Sequence, residues 1–92
     1  MATSNWNTNQ NALSTAAERI CPVSSRRRRC TILNTDSSIT VYIGPTADVT
    51  SSNGFPLVAG AAFTLEGDDA AGEVWAIAAS GTPTVAILEE YF

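Results

Sequence analysis

The residues of this chain that could do chemistry are an arginine run at 26–29, two cysteines and a pair of adjacent aspartates. Guanidinium groups hold carboxylates or phosphates through paired hydrogen bonds. Asp68-Asp69 resembles a fragment of a calcium-binding loop, but it lacks the regular spacing and the terminal glutamate of such a loop. The chain has no histidine, which excludes the commonest general base and the usual catalytic triads. We therefore expect no catalytic residue, no metal site, no cofactor and no enzyme activity.

Cys21 and Cys30 are too few for a disulfide scaffold. If a hairpin turns at Ser25-Arg26, the two side chains lie opposite each other and could form a bridge. The alternative is a pair of small buried hydrophobic side chains. Thiols of proteins made in a cytoplasm usually stay reduced, so the sequence favours the reduced pair and leaves bridging open.

Charge divides the chain into two parts. Residues 1–30 carry all five arginines and one acid, whereas residues 31–92 carry eight acids and no base. This division suits a surface that meets another protein surface, including another copy of the chain, and the net charge of −4 argues against nucleic-acid binding. Our candidate subunit or capsid interface consists of Trp6, Arg26, Arg27, Arg28, Arg29, Phe55, Leu57, Val58, Glu89 and Glu90.

The arginine run allows two interpretations. On a regular strand, Arg26 and Arg28 share a face with the inward-facing Cys30, and an inward arginine must lie at the rim of the sheet or find a carboxylate. One interpretation is a solvated edge strand that charge keeps soluble. The other is a set of bidentate ion pairs with an adjacent subunit. The candidate acidic partners are Asp36, Glu66, Glu89 and Glu90.

Short runs in which apolar and polar residues alternate with period two predict an all-β fold. The runs cover residues 28–33, 39–43, 62–65, 74–78 and 84–90, and segments rich in Gly, Pro, Asn, Asp and Ser separate them. This pattern predicts an antiparallel β-sandwich or a jelly-roll-like barrel. The run at 84–90 is apolar on both faces, so we expect it to be paired, either within the domain or across a subunit boundary.

The first sixteen residues read as a polar segment. We expect residues 1–16 to form an extended N-terminal arm that Trp6 anchors to a neighbouring subunit, and residues 17–92 to form one β-sandwich domain. A short helix around residues 12–20 is also possible. The connection at 44–60 places Phe55, Leu57 and Val58 where they either fold back over the sandwich or stay exposed for a partner.

Several short segments of the chain carry a resemblance to a known family. They read Arg-Arg-Cys-Thr-Ile-Leu-Asn-Thr (27–34), Val-Tyr-Ile-Gly (41–44), Val-Thr (49–50), Asn-Gly-Phe-Pro-Leu (53–57), Ala-Gly (59–60) and Glu-Val-Trp-Ala-Ile-Ala (73–78). In these segments the chain resembles small virion proteins of tailed bacteriophages, and among them a capsid decoration (cement) protein is the most similar in size. The resemblance implies a β-sandwich or jelly roll that docks on a capsid, often as a trimer. The four-arginine run and the two cysteines depart from the usual pattern.

The expected function is therefore structural. We expect a virion protein that is made in the host cytoplasm, forms a homotrimer with its own copies, and stabilises a capsid by contacting the major capsid protein. We expect no contact with nucleic acid or with a membrane. No small-molecule substrate is expected. The alternatives are a tail, neck or fibre component of the phage, and a receptor- or carbohydrate-binding module that stacks sugars on Trp75, Tyr42 or Tyr91.

Overall fold

The structure, a computed structural model, describes residues 5–91. Within that range the chain forms eight β-strands and one short helix. In chain order these are β1 (Trp6–Ala12), β2 (Glu18–Cys21), β3 (Arg27–Asn34), β4 (Val41–Gly44), β5 (Phe55–Leu57), β6 (Ala62–Glu66), α1 (Asp68–Ala71), β7 (Val74–Ala78) and β8 (Thr84–Tyr91).

Antiparallel pairing arranges the strands of residues 5–91 in two four-stranded sheets. Sheet A has the order β1-β8-β3-β6, and sheet B has the order β2-β7-β4-β5. Strand β1 thus pairs with β8, β2 with β7, β3 with β6 and β4 with β5, as in one long hairpin whose turn lies between β4 and β5. Successive pairs of this hairpin alternate between the sheets, which is the jelly-roll arrangement. The predicted all-β class and antiparallel sandwich are confirmed.

The core lies between the two sheets and is filled by alternate residues of both. On β7, Val74, Ala76 and Ala78 face the core, whereas Trp75 and Ile77 are half-buried on the outer face. The other core residues are Leu13, Ile20, Cys21, Cys30, Ile32, Val41, Ile43, Leu57, Val85 and Ile87. Because successive side chains of a strand point to opposite faces, the period of two in the sequence identifies much of this interior.

The extended arm predicted at residues 1–16 is not confirmed. Trp6–Ala12 forms β1 and pairs with β8 along its whole length, and Leu13 is buried in the core. Backbone hydrogen bonds, which depend little on side-chain polarity, hold this polar segment in the sheet. Residues 1–4 of the predicted arm lie outside the described residues.

Strand β8 lies between β1 and β3 in sheet A. Its two apolar faces led to the prediction that it is paired, and the pairing is found within the domain. The short helix predicted around residues 12–20 is wrong, because Glu18–Cys21 forms β2 and pairs with β7.

The long connection between β4 and β5 folds back onto the outer face of sheet B through one side chain. Val49 is buried, and it fits between Gly44 and Gly54. A Cβ atom added at Gly54 would lie 2.7 Å from the Cβ of Tyr42 and 2.8 Å from Cγ2 of Val49. A glycine is therefore required there by the close approach of its neighbours.

Replacing Gly54 with alanine is expected to destabilise the fold by about 1–3 kcal/mol, because the new methyl group forces Val49 or Tyr42 to move. Urea denaturation followed by fluorescence measures this change. Gly72→Ala is the matched control, since the nearest atom to its added Cβ is the carbonyl oxygen of Asp69 at 3.7 Å, an ordinary contact. Equal midpoints for the two variants would contradict the close packing of Val49.

Candidate protein-interaction surface

Arg27, one of the predicted interface residues, is buried in its own chain and only 1% exposed. Its Nε donates to the carbonyl oxygen of Ala70 at 2.6 Å, and its Nη2 donates to the carbonyl oxygens of Pro22 at 2.8 Å and Gly72 at 2.7 Å. Its Nη1 donates to Oε2 of Glu89 at 2.9 Å. This guanidinium therefore ties the start of β3 to α1 and to β8, and it is not available to a partner.

The alternation predicted for the arginine run is wrong at one step. The register of β3 against β8 shifts between Arg27 and Arg29, which is a bulge in the strand. The bulge turns Arg27 inward, onto the side of Cys30, while Arg26 and Arg28 are exposed. As predicted for an inward arginine, Arg27 pairs with a carboxylate, and that carboxylate belongs to Glu89 of the same chain.

The Glu89 carboxylate accepts a second hydrogen bond, from the hydroxyl of Tyr91 at 3.0 Å. Burial, together with this bond and the negative charge of Glu89, raises the pKa of Tyr91 above its usual value. Glu89 and Tyr91 thus complete a polar cluster around Arg27 at the end of β8. Both Glu89 and Tyr91 are half-buried there and bonded within their own chain.

A row of four exposed or half-exposed side chains crosses the outer face of sheet A. Trp6 lies opposite Glu90 on the neighbouring strand, Glu90 lies opposite Arg29, and Arg29 lies opposite Glu66. The guanidinium of Arg29 is 3.3 Å from Glu90 and 3.5 Å from Glu66. Trp6 is 57% exposed. We call these four residues the rim row.

Beyond the rim row, the outer face of sheet A is uncharged. The strand registers place two further rows of short or aliphatic side chains there. We define the sheet A face as these two rows: Thr8, Leu88, Thr31, Thr64, Gln10, Ala86, Leu33 and Ala62. A shallow depression runs over most of them. Thr31 and Thr64 share a hydrogen bond of 3.0 Å between their hydroxyl groups.

The combination of the sheet A face and the rim row has the properties of a protein contact. Protein interfaces are depleted of charge at their centre, and charged and polar groups lie at their rim. Tryptophan and arginine carry a large share of binding energy in such contacts. Of the predicted site residues, Trp6, Arg29 and Glu90 lie together here, on three neighbouring strands of sheet A.

The predicted residues in and beside β5 lie on sheet B, away from the rim row. Leu57 is in the core, and Val58 is exposed in the turn after β5. Phe55 is half-exposed, and its ring centroid is 5.1 Å from that of Phe63. The two rings line a groove of about 420 Å³ beside Asp68 and other acidic residues.

Sequence reasoning did not identify the eight residues of the sheet A face. They are short or aliphatic residues on four strands that are far apart in the sequence. Only the strand order and the register place them on one surface. The available signal was the outward set of each alternating run, such as Thr31 and Leu33, but that set alone does not say which strands are neighbours.

No group of three or more cysteine, aspartate or glutamate side chains among residues 5–91 is arranged to hold a metal ion. No helix in the same range is long and apolar enough to cross a lipid bilayer. Comparison of the sequence with protein-family models found no match, and comparison with curated proteins found none either.

Proposed function

We propose that this chain is a structural protein that self-associates through the sheet A face, and that the oligomer docks on a tailed-phage capsid as a decoration protein. The observation that supports self-association is the uncharged sheet A face bordered by Trp6, Arg29 and the two carboxylates of the rim row. The proposed docking on a phage capsid rests only on the resemblance of residues 27–88 to phage virion proteins.

The size of the sheet A face sets the expected strength of self-association. Four strands about 4.8 Å apart, over the length of β1, give a face of roughly 400 Å². A stable protein contact buries about 800 Å² on each partner. One face therefore supports weak association of free copies, and a firm attachment needs several contacts at once. A decoration protein present in many copies on a capsid meets this requirement.

The fold is compatible with the proposal and also with the alternatives. Jelly rolls occur in viral capsid proteins and in lectins, so the architecture alone does not select a function. A carbohydrate module needs an exposed aromatic ring; Trp75, Tyr42 and Tyr91, the rings predicted for that role, are half-buried, and the exposed ring of Trp6 lies in the rim row. The position of the chain in an electron-microscopy map of the particle would separate a head protein from a tail, neck or fibre component.

Self-association is expected to depend on Leu33, which is exposed near the centre of the sheet A face. Leu33→Glu should weaken association at least about tenfold, because a carboxylate without a partner would have to lose its hydration in the contact. Sedimentation velocity over a concentration series measures this effect. Ser51→Glu, in the exposed connection between β4 and β5, adds the same charge elsewhere and should leave association unchanged. A parent chain that stays monomeric at every concentration, or normal association by Leu33→Glu, would remove the proposal.

A further inference from the structure

The two cysteines of the chain face each other across the interior of the sandwich. Cys21 ends β2 in sheet B, and Cys30 lies on β3 in sheet A. Both side chains are buried, with exposures of 1% and 0%, and their Sγ atoms are 3.5 Å apart. A disulfide bond requires a sulfur separation of about 2.05 Å, so the two atoms need to approach by about 1.5 Å. Both thiols are free in this structure.

We propose that Cys21 and Cys30 are a modification site, at which an oxidant of the disulfide class, such as oxidised glutathione, closes a covalent bond between sheet A and sheet B. In the first step, the thiolate of Cys30 attacks one sulfur of the oxidant and releases one glutathione thiolate. In the second step, Cys21 loses its proton and its sulfur attacks Cys30 in the mixed disulfide, which releases the second glutathione. The protein loses two electrons and two protons, and the oxidant is reduced to two thiols.

The surroundings of the pair favour Cys30 as the first thiolate. A hydrogen bond from the thiol of Cys21 and the positive charge of Arg27 hold the pKa of Cys30 below its usual value, although burial opposes this. The same hydrogen bond and burial raise the pKa of Cys21. The thiolate is the nucleophile in thiol–disulfide exchange, so an arrangement with one thiolate and one neighbouring thiol is suited to closing a bond.

Access of the oxidant has a structural route. Strand β2 has four residues and lies at the edge of sheet B, and its register against β7 shifts between Arg19 and Cys21. A short edge strand with an interrupted ladder is among the first parts of a sheet to open, although here the hydrogen bond from Arg27 to the carbonyl oxygen of Pro22 must break as well. Opening of β2 would expose Cys21 and uncover Cys30, so oxidation is expected to be slow and to speed up in mild denaturant.

The closed bond is expected to raise the melting temperature. It would join positions nine residues apart, which restricts the unfolded chain, and it would add a covalent link between two sheets that otherwise meet through side-chain packing and hydrogen bonds such as that from Asn34 to Leu57. For a loop of this length in a domain of this size, the expected increase in Tm is about 10 °C. This proposal does not depend on the virion role, since it concerns the purified chain.

The test is to incubate the reduced full-length chain with oxidised glutathione and to follow intact mass, free thiols in denaturant and Tm. The expected result is a mass loss of about 2 Da, loss of both thiols together and a higher Tm, all reversed by dithiothreitol. Cys21→Ser and Cys30→Ser are the controls, because each keeps one thiol and should show no rise in Tm with the oxidant. A persistent glutathione adduct, two thiols that stay free after unfolding and refolding in the redox buffer, or a bridged chain with a lower Tm would each overturn the proposal.

Discussion

Arg27→Ala is expected to leave the chain largely unfolded at room temperature. The change would leave the Glu89 carboxylate buried without its partner and would remove hydrogen bonds from the carbonyl oxygens of Ala70, Pro22 and Gly72. Breaking one side of a buried ion pair costs about 3–5 kcal/mol, and the buried acceptor of Ala70 adds about 1–3 kcal/mol, whereas water can partly replace the bonds to Pro22 and Gly72. The sum is comparable to the whole stability of a small domain, which is about 5–15 kcal/mol. Circular dichroism and urea denaturation measure the loss.

Two other variants test whether the hydrogen bonds of the Arg27 guanidinium cause this loss of stability. Arg27→Lys keeps the charge, but a single ammonium group cannot reach four acceptors on three elements, so we expect little rescue. Arg29→Ala is the matched control: its guanidinium is 49% exposed and forms surface ion pairs, which contribute about 0–1 kcal/mol. If Arg27→Ala and Arg29→Ala have the same unfolding midpoint, the buried cluster does not stabilise the fold.

Much of the fold could be predicted because its signal is local. The period of two in residues 74–78 and 84–90 identifies strands whose inward residues form the core, and the turn-forming segments between the runs give the strand boundaries. The apolar character of β8 on both faces also indicated that it is paired, and it lies between β1 and β3. These features depend on each segment alone, so they can be read without knowing which strands meet.

The features that could not be predicted depend on pairing between distant segments. The polar segment Trp6–Ala12 gives no apolar signal, because backbone hydrogen bonds to β8 keep it in the sheet. The bulge between Arg27 and Arg29 turns Arg27 inward and Arg28 outward, which is the reverse of the predicted alternation. Nothing in a run of identical residues shows where a bulge lies. The sheet A face depends on the register of four strands, so none of its eight residues was among the predicted ones, which include only Trp6, Arg29 and Glu90 of the adjoining rim row.

Asn34→Asp is expected to destabilise the fold by about 3 kcal/mol or more at neutral pH. Asn34 is fully buried, and its Nδ2 donates to the carbonyl oxygens of Ile39 and Leu57, each at 2.8 Å. Its Oδ1 accepts from the backbone N–H of Asp36 at 3.0 Å. An ionised carboxylate has no donor for the two carbonyl oxygens, so the change would place a negative charge against two acceptors at the junction of sheet A and β5.

This loss should depend on pH with a definite sign. Burial against two acceptors raises the folded-state pKa of the introduced carboxyl above its unfolded value of about 3.9. The charge penalty is then absent below that value and grows as the pH rises toward the raised folded-state pKa. The Asp36 carboxyl adds to the local negative charge at neutral pH, because backbone hydrogen bonds from Ser38 and Ile39 hold its pKa below the usual value.

Asn53→Asp is the matched control, because it makes the same amide-to-carboxylate change at an exposed position and so shows the effect of that change without burial. The Asn53 side chain also donates to a carbonyl oxygen, that of Asp48 at 3.1 Å, and accepts from a backbone N–H, but it is exposed, so water can solvate the new charge. Its unfolding free energy should fall by less than about 1 kcal/mol and should follow the parent chain across the pH range. Urea denaturation of the three chains between acid and neutral pH gives both comparisons. Since Asn34 joins β3 to the turn at 35–39 and to β5, a similar small loss in both variants would mean that packing, and not this amide, holds the junction of the two sheets.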